Sequence, residues 1–270
     1  MGYGSTRIVE LFNTRYKYKD MRIAVSGTAN TGKTTLINSF LEKWSTYETP
    51  KETYRDVIVK DDLEHSSKTT TETQDKIMEF MLNQVKDKSK TVDDNVIYDR
   101  CPLDALAYSM WCNGKGYEGF DTEYIQKQIN EVKESMRYLD LIFLCKFDES
   151  IPIVDDGMRD TDTDHIKEVD NIFEALFQQY FTNVHADVFF PKDDSPGVIK
   201  LPTNHQQRVN LIGEYVTDSG SMYGDEHSIL NPDNIKELET LVEAQRLSLD
   251  REKEQEDILK KSFDIGDLRM

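Results

Sequence analysis

The nine residues Gly27-Thr28-Ala29-Asn30-Thr31-Gly32-Lys33-Thr34-Thr35 carry the spacing G-x-x-x-x-G-K-T. A glycine loop that opens a helix turns several main-chain N–H groups toward one point, and the helix dipole adds to them, so the loop is suited to hold phosphate. Lys33 can reach the β and γ oxygens of a triphosphate, and the Thr34 hydroxyl can sit on Mg²⁺. Three uses of that triphosphate are open: hydrolysis to drive a motion, a nucleotide switch, or transfer of the last phosphoryl group.

Two other places offer matching chemistry. Asp99 and Arg100 follow the apolar run Asn95-Val-Ile-Tyr98, and the carboxyl end of a parallel strand is where ligands bind in open α/β sheets. Asp99 can hold a Mg²⁺ water or accept a proton from a substrate hydroxyl, and Arg100 can supply a cation to a phosphate or a transition state. The plainer alternative is an ion pair between the two neighbours. Arg159 lies in the polar stretch Asp155-Asp-Gly-Met-Arg-Asp-Thr-Asp162. An arginine there suits a lid that excludes water and brings positive charge to the phosphoryl group in transfer. A charged surface loop is the alternative.

The elements that must position these residues can be read from periodicity. Ile23, Ala24 and Val25 form a short strand before the glycine loop, and Leu36, Ile37, Phe40 and Leu41 recur at helical spacing after it. Thr70 to Val85 reads as a helix with Ile77, Phe80, Met81 and Val85 on one face, Asn95 to Tyr98 as a strand, and Pro102 as a first-turn residue of the next helix. Asn113 to Gly119 is a loop, and Asp121 caps a helix bearing Tyr124, Ile125, Ile129 and Val132. Leu139 to Cys145 is a buried strand. Ile166, Val169, Ile172, Phe173, Leu176, Phe177 and Tyr180 mark a long amphipathic helix, with a last strand at Val198 to Leu201 and a helix around Val209 to Val216. Alternating strands and helices imply an α/β fold, a parallel sheet with helices on both faces. The expected organisation is an N-terminal extension over 1–20, a nucleotide-binding domain over 21–217, and a C-terminal extension over 218–270 with a highly charged helix from Asn231-Pro232 to about Ser262.

Composition narrows the function. In 270 residues, 33 Lys and Arg stand against 51 Asp and Glu, a formal charge of -18, so broad binding to a phosphate backbone is disfavoured and DNA is not the expected general partner. Cys101, Cys112 and Cys145 show no metal-ligand spacing and fit a reducing compartment. No apolar run reaches the length of a membrane span, so a cytoplasmic location without a membrane partner is expected. A homo-oligomer stays open.

The segments GTANTGKTT, YDRCPLDALAY and DDGMRDTDTDHIKEVDNIF together resemble the small P-loop kinases that include thymidylate kinases and ribosylnicotinamide kinases, and most closely the kinase-like ATPases often carried by bacteriophages. The resemblance covers about Met21 to Val216. It implies a P-loop NTPase fold with a five-stranded parallel sheet, Asp99 on the strand next to the glycine loop, Arg159 as a lid arginine, and ATP with Mg²⁺ as cofactors. It also places Glu52 and Arg55, in Thr49-Pro-Lys-Glu-Thr-Tyr-Arg-Asp56, opposite the acceptor, although a charged exposed turn explains them equally. The Arg-Glu-Pro-Gly-Gly stretch of thymidylate kinases is missing, which argues against free thymidylate as acceptor.

The leading expectation is a Mg-ATP-dependent phosphotransferase acting on a hydroxyl of a nucleoside, nucleotide or modified nucleobase. Kinases of this look act on hydroxymethyluracil in phage DNA, which keeps an acceptor within DNA, and a host-cytoplasm location, among the readings. Lys33, Asp99, Arg100 and Arg159 carry the transfer, and Glu52 and Arg55 join Asp99 and Arg100 at the acceptor. The alternative is a nucleotide-driven ATPase or GTPase switch that reaches a protein partner through the C-terminal helix.

Overall fold

Ile23, Ala24 and Val25 are wholly buried, and the strand they form lies at the centre of the sheet. Five strands run parallel: β1 (Arg22–Ser26), β2 (Tyr47–Glu48), β3 (Asn95–Asp99), β4 (Leu141–Cys145) and β5 (Gly197–Leu201), in the order β2-β3-β1-β4-β5. Central position removes both faces of β1 and β4 from water, so these strands are continuous apolar runs. The register sets Val25 beside Asp99 on one side and beside Phe143 on the other, so the loop leaving β1 emerges between the ends of β3 and β4.

Among the described residues seven α-helices lie between or after the strands: α1 (Lys33–Lys43), α2 (Tyr54–Lys60), α3 (Thr71–Lys86), α4 (Pro102–Gly114), α5 (Thr122–Ser135), α6 (Thr163–Thr182) and α7 (His205–Ile212). Right-handed crossovers from β1 leftward and from β3 and β4 rightward must place their helices on opposite faces of the sheet. The packing agrees: α1 lies against α7, whereas α3, α4 and α5 pack together and α4 also meets α6. On the broader side Ala24, Val96, Tyr98, Ile142 and Leu144 join Ile77, Met81, Leu106, Val132, Val169 and Phe173 in one apolar core. On the other side Phe40 of α1 meets Trp44, Tyr47 and Phe143 with ring centroids 4.6, 4.8 and 6.3 Å away.

Local chemistry fixes the helix starts. The Asp121 carboxylate accepts from Tyr124 N–H at 2.8 Å, and Asn204 Oδ1 accepts from Gln207 N–H at 3.1 Å. Pro102 occupies the first turn of α4, whose Cys101 and Asp104 form a reciprocal cap. Three expectations shift. The helix placed at Val209 to Val216 begins at His205 because Asn204 caps it, and it ends at Ile212. The β4 strand starts at Leu141, since Met136–Tyr138 is a 3₁₀ turn. The charged turn around Arg55 is helix α2, opened by a capping box between Thr53 and Asp56.

The computed structural model describes residues 21–86, 95–153, 161–182, 185–218 and 220, without the side chain of Ser66; these belong to a compact unit spanning Lys17–Ser221. Arg159, the N-terminal extension and the charged helix expected from Asn231 lie outside the described residues. No helix among the described residues is long and apolar enough to cross a membrane.

Because Phe40 is fully buried among three aromatic rings, Phe40→Ala should destabilise the protein by about 3–5 kcal/mol. In urea the midpoint should fall with little change in slope.

Candidate functional site

The glycine loop is held open by its surroundings as much as by its own sequence. Gly27 has φ 137°, and a Cβ built on it would lie 2.3 Å from the Cys145 carbonyl oxygen, so only glycine lets the loop pass the end of β4. Asn30 and Gly32 also take positive φ, 57° and 76°. Gly32 then caps α1, which leaves the first N–H groups of that helix turned toward the hollow of the loop.

Asp104, which motif reading overlooks, fastens the start of this loop from the side. Its Oδ2 accepts from the Ser26 hydroxyl at 2.8 Å and from Cys101 N–H at 3.1 Å, and its Oδ1 accepts from Gly27 N–H at 3.1 Å. Arg100 Nη1 donates to Asp104 Oδ1 and to the Gly27 carbonyl, both at 2.9 Å. Both ends of the Gly27 residue are therefore bonded to one buried ion pair. The ordinary pairing of Asp99 with Arg100 gives way to two separate partners: Arg100 goes to Asp104, and Asp99 Oδ2 accepts from the Thr34 hydroxyl at 3.1 Å. Arg100 itself sits at φ 81°, a rare conformation for a side chain of its size, and its guanidinium lies 5.2 Å and 5.5 Å from the rings of Tyr54 and Tyr108.

Lys33 turns back over the loop, donating to the Thr28 carbonyl and, at 3.1 Å, to Thr31 Oγ1. Burial, with help from the Arg100 charge, brings its amine down to about 7 against the opposing pull of Asp99, Asp104 and Cys145. Thr28 Oγ1 donates to the Ile166 carbonyl at 3.3 Å, which ties the loop to the first turn of α6. The three thiols are buried and free, and burial pushes all of them up, Cys112 to about 12, which disfavours the thiolate form.

One cavity joins the donor and acceptor expectations. Ala29, Asn30, Thr31, Gly32, Lys33, Thr34 and Thr35 line its mouth beside Asp99, and the same cavity runs past Arg100 into a chamber walled by Tyr54, Ile58, Gln74, Ile77, Met81 and Tyr108. Arg55 of α2 reaches this cavity, but Glu52 lies on a separate recess with Tyr98 and accepts through its carbonyl from Gln84 Nε2 at 3.0 Å. Gln74 is a second residue that pattern reading passes over. It interrupts the apolar stripe of α3, is 4 % exposed, and donates through Nε2 to Thr69 Oγ1 at 2.9 Å, while its Oε1 finds no partner among the described residues. The signal was present in the sequence as a polar residue on an apolar face. Tyr54 and Tyr108 carried no signal apart from their neighbours Arg55 and Asp104.

The oxygen pair of Thr34 and Asp99 fits a hard divalent cation that keeps most of its ligands from water and phosphate, as Mg²⁺ does. No cluster of three or more metal-ligating side chains occurs among the described residues, so a site built wholly of protein ligands is not what this arrangement offers.

A parallel sheet in this order, with its central strand running through a glycine loop into a helix that opens on Lys33 and Thr34, is a P-loop NTPase fold. The chain belongs to the AAA domain family, whose model matches residues 22–188. No curated protein matches the sequence. Solved structures that resemble it include deoxyadenosine kinase from M. mycoides with dCMP and dCDP bound, 16% identical, covering 71% of this chain and 96% of that one with a TM-score of 0.49. Others are the NadR protein in complex with NR, 16% identical over 73% of this chain and 51% of that one with a TM-score of 0.49, and thymidylate kinase from Candida albicans, 15% identical over 74% and 92% with a TM-score of 0.45.

Phosphate bound beside Lys33 favours its charged form, so the complex holds a proton that the free protein increasingly lacks above about pH 7. MgATP affinity should therefore fall as pH rises through 7 and beyond, and calorimetry in buffers of different ionisation enthalpy should record proton uptake on binding. Binding without proton uptake at pH 8 would contradict the assignment.

Proposed function

We propose that the protein is a Mg-ATP-dependent kinase that transfers a phosphoryl group to a hydroxyl of a nucleoside, a nucleotide or a modified nucleobase. The observation that carries this reading is the chamber beyond the glycine loop. A nucleotide switch needs a place for its triphosphate and for water, but a partly open cavity that continues from the glycine loop to the apolar and aromatic side chains of Tyr54, Ile58, Ile77, Met81 and Tyr108 suits a second, planar reactant. Gln74 gives that space a polar reader: a buried amide oxygen without a partner costs about 1–3 kcal/mol, and an N–H on a base edge would recover it.

The roles follow from position. Main-chain N–H groups from Ala29 to Thr34 and the Lys33 amine hold the donor phosphates, and Thr34 with Asp99 would hold Mg²⁺. The ion, when bound, neutralises charge on the β and γ oxygens. Asp99 stands where the donor loop meets the chamber, so its carboxylate is also within the region where an acceptor hydroxyl must lie. Arg100 acts chiefly by keeping the start of the loop in shape, and its charge reaches the same cavity. Arg55 faces the acceptor, and Arg159 closes over the phosphates in this reading. The transfer needs alignment and charge stabilisation more than covalent help, because the phosphoryl group passes through a loose transition state.

The test is labelled ATP offered with nucleosides, nucleotides and DNA containing hydroxymethyluracil in separate reactions. A labelled acceptor identifies the substrate, and release of free phosphate alone in every reaction would replace this reading with the nucleotide-driven switch. With the substrate in hand, Asp99→Asn should lower kcat by about 10²-fold or more and raise the Mg²⁺ concentration needed for half-maximal rate. Gln74→Leu should raise the acceptor KM about 10- to 100-fold and leave the ATP KM near wild type. An unchanged acceptor KM would remove Gln74 from recognition.

A further inference from the structure

Arg208 lies outside the motifs of the sequence and outside the roles described above. It stands in α7, is 2 % exposed, and makes both of its hydrogen bonds to backbone carbonyls: Nε donates to Pro202 at 2.6 Å and Nη1 to Thr31 at 2.5 Å. Nη2 has no partner among the described residues. A guanidinium is charged at every ordinary pH and is costly to bury, so a buried arginine bonded to carbonyls alone calls for a reason beyond packing.

The reason lies in the peptide that it grips. The Thr31–Gly32 peptide is trans, as are all the described peptide bonds, so its carbonyl and its N–H point in opposite directions. Holding the Thr31 carbonyl back toward α7 turns the Gly32 N–H away from Arg208, to the side where the loop faces the cavity. Gly32 makes this backbone turn feasible. The residue takes φ 76°, a conformation that side chains rarely adopt, whereas a Cβ there would meet Nη1 at 3.4 Å, an ordinary contact. The Pro202 bond adds the turn between β5 and α7 to the same unit, and His205 Nε2 lies 3.0 Å from Ser39 Oγ on α1, so the helix that follows the loop is joined to α7 as well.

We propose that Arg208 is a positioning residue for the donor triphosphate: it fixes the Thr31–Gly32 peptide so that the Gly32 N–H serves the phosphates, and it makes the β5–α7 turn a support of the donor site. The proposal rests on the reading of the glycine loop as the donor site and on no particular acceptor. Arg208 matches Asp104 and Arg100 at the other end of the loop, where Gly27 is held in the same manner. The positive charge of Arg208 also lies behind a loop that receives several negative charges.

The experiment titrates MgATP, and separately inorganic tripolyphosphate, into the full-length wild type, Arg208→Met, Arg208→Lys and Lys33→Ala, with circular dichroism and thermal unfolding on the same preparations. Arg208→Met should bind both ligands about tenfold or more weakly while staying folded, as loss of a charge-assisted hydrogen bond to the loop would cause. Arg208→Lys should regain part of that loss, because an amine can reach one carbonyl but not two. In turnover, KM for ATP should rise while kcat at saturating ATP stays within a few-fold, a split that loss of folded protein would not produce. Wild-type affinity in a folded Arg208→Met overturns the proposal, and so does a loss confined to MgATP, which would place Arg208 at the base rather than the phosphates. If Arg208→Met does not fold, Arg208→Lys decides: weakened tripolyphosphate binding supports the proposal and unchanged binding overturns it. Wild-type tripolyphosphate binding by Lys33→Ala would instead overturn the donor-site reading itself.

Discussion

The passage of Gly27 beneath the Cys145 carbonyl is the constraint on which the site depends. The loop leaves β1 between two neighbouring strands, and the 2.3 Å separation that a Cβ would have there admits no side chain. A residue without a side chain cannot secure itself, so the neighbours must hold its backbone. Asp104 takes the N–H of Gly27, Arg100 takes its carbonyl, and the two close the circle through their own ion pair. Breaking a buried pair of this kind by removing one partner typically costs about 3–5 kcal/mol, because the remaining charge is left without compensation. The Asp-Arg step after β3 is thereby coupled to the phosphate loop through structure before any chemistry is considered.

The sheet order assigns separate duties to its two faces. The crossover from β1 and the helix that follows β5 bring α1 and α7 to one side, where the loop ends and the first N–H groups of α1 are offered. Crossovers on the other side bring α2 to α6, whose residues Tyr54, Gln74 and Tyr108 wall the chamber. Asp99, at the end of the strand between β1 and β2, is the carboxylate placed at the boundary of the two. Lys33, Arg55 and Arg100 gather at this cavity in a chain of formal charge -18.

Much of the frame was legible because each part rests on local rules. The five strands were visible as apolar runs, apart from the two-residue β2, which is too short to give a pattern. Asp121 and Pro102 marked helix starts because caps and first-turn prolines act within one turn. Asn204 gives no cap signal in the sequence because nothing apolar in the next turn announces a helix, so α7 starts four residues before the Val209 that periodicity indicates. Lys33, Thr34 and Asp99 are legible as candidates from motif and strand-end position, and the fold brings them to one cavity. Asp104, Gln74 and Arg208 were not, because their importance comes from partners 77, 5 and 177 residues away in sequence, and only Gln74 could have been flagged locally as a polar residue on an apolar stripe. The same limit applies to Arg100, for which the sequence offers an ion pair with Asp99 only as an alternative and for which the fold supplies Asp104.

These long-range partners share a pattern that bears on how the site works. Arg100 and Arg208 both spend guanidinium hydrogen bonds on loop carbonyls, at Gly27 and Thr31. A loop that must present its N–H groups to an anion has to turn the opposite ends of its peptides away, and those carbonyls then need donors behind them. Side chains that donate several hydrogen bonds and accept none are the natural choice, which is why arginine rather than asparagine or serine stands at both places. Their charge also favours the anion on the far side of the loop, so the groups that satisfy the carbonyls strengthen the binding they prepare. In the proposed reading, preorganisation of this kind means that the backbone of the loop need not be reshaped when phosphate arrives, so the binding energy is not drawn on to order it.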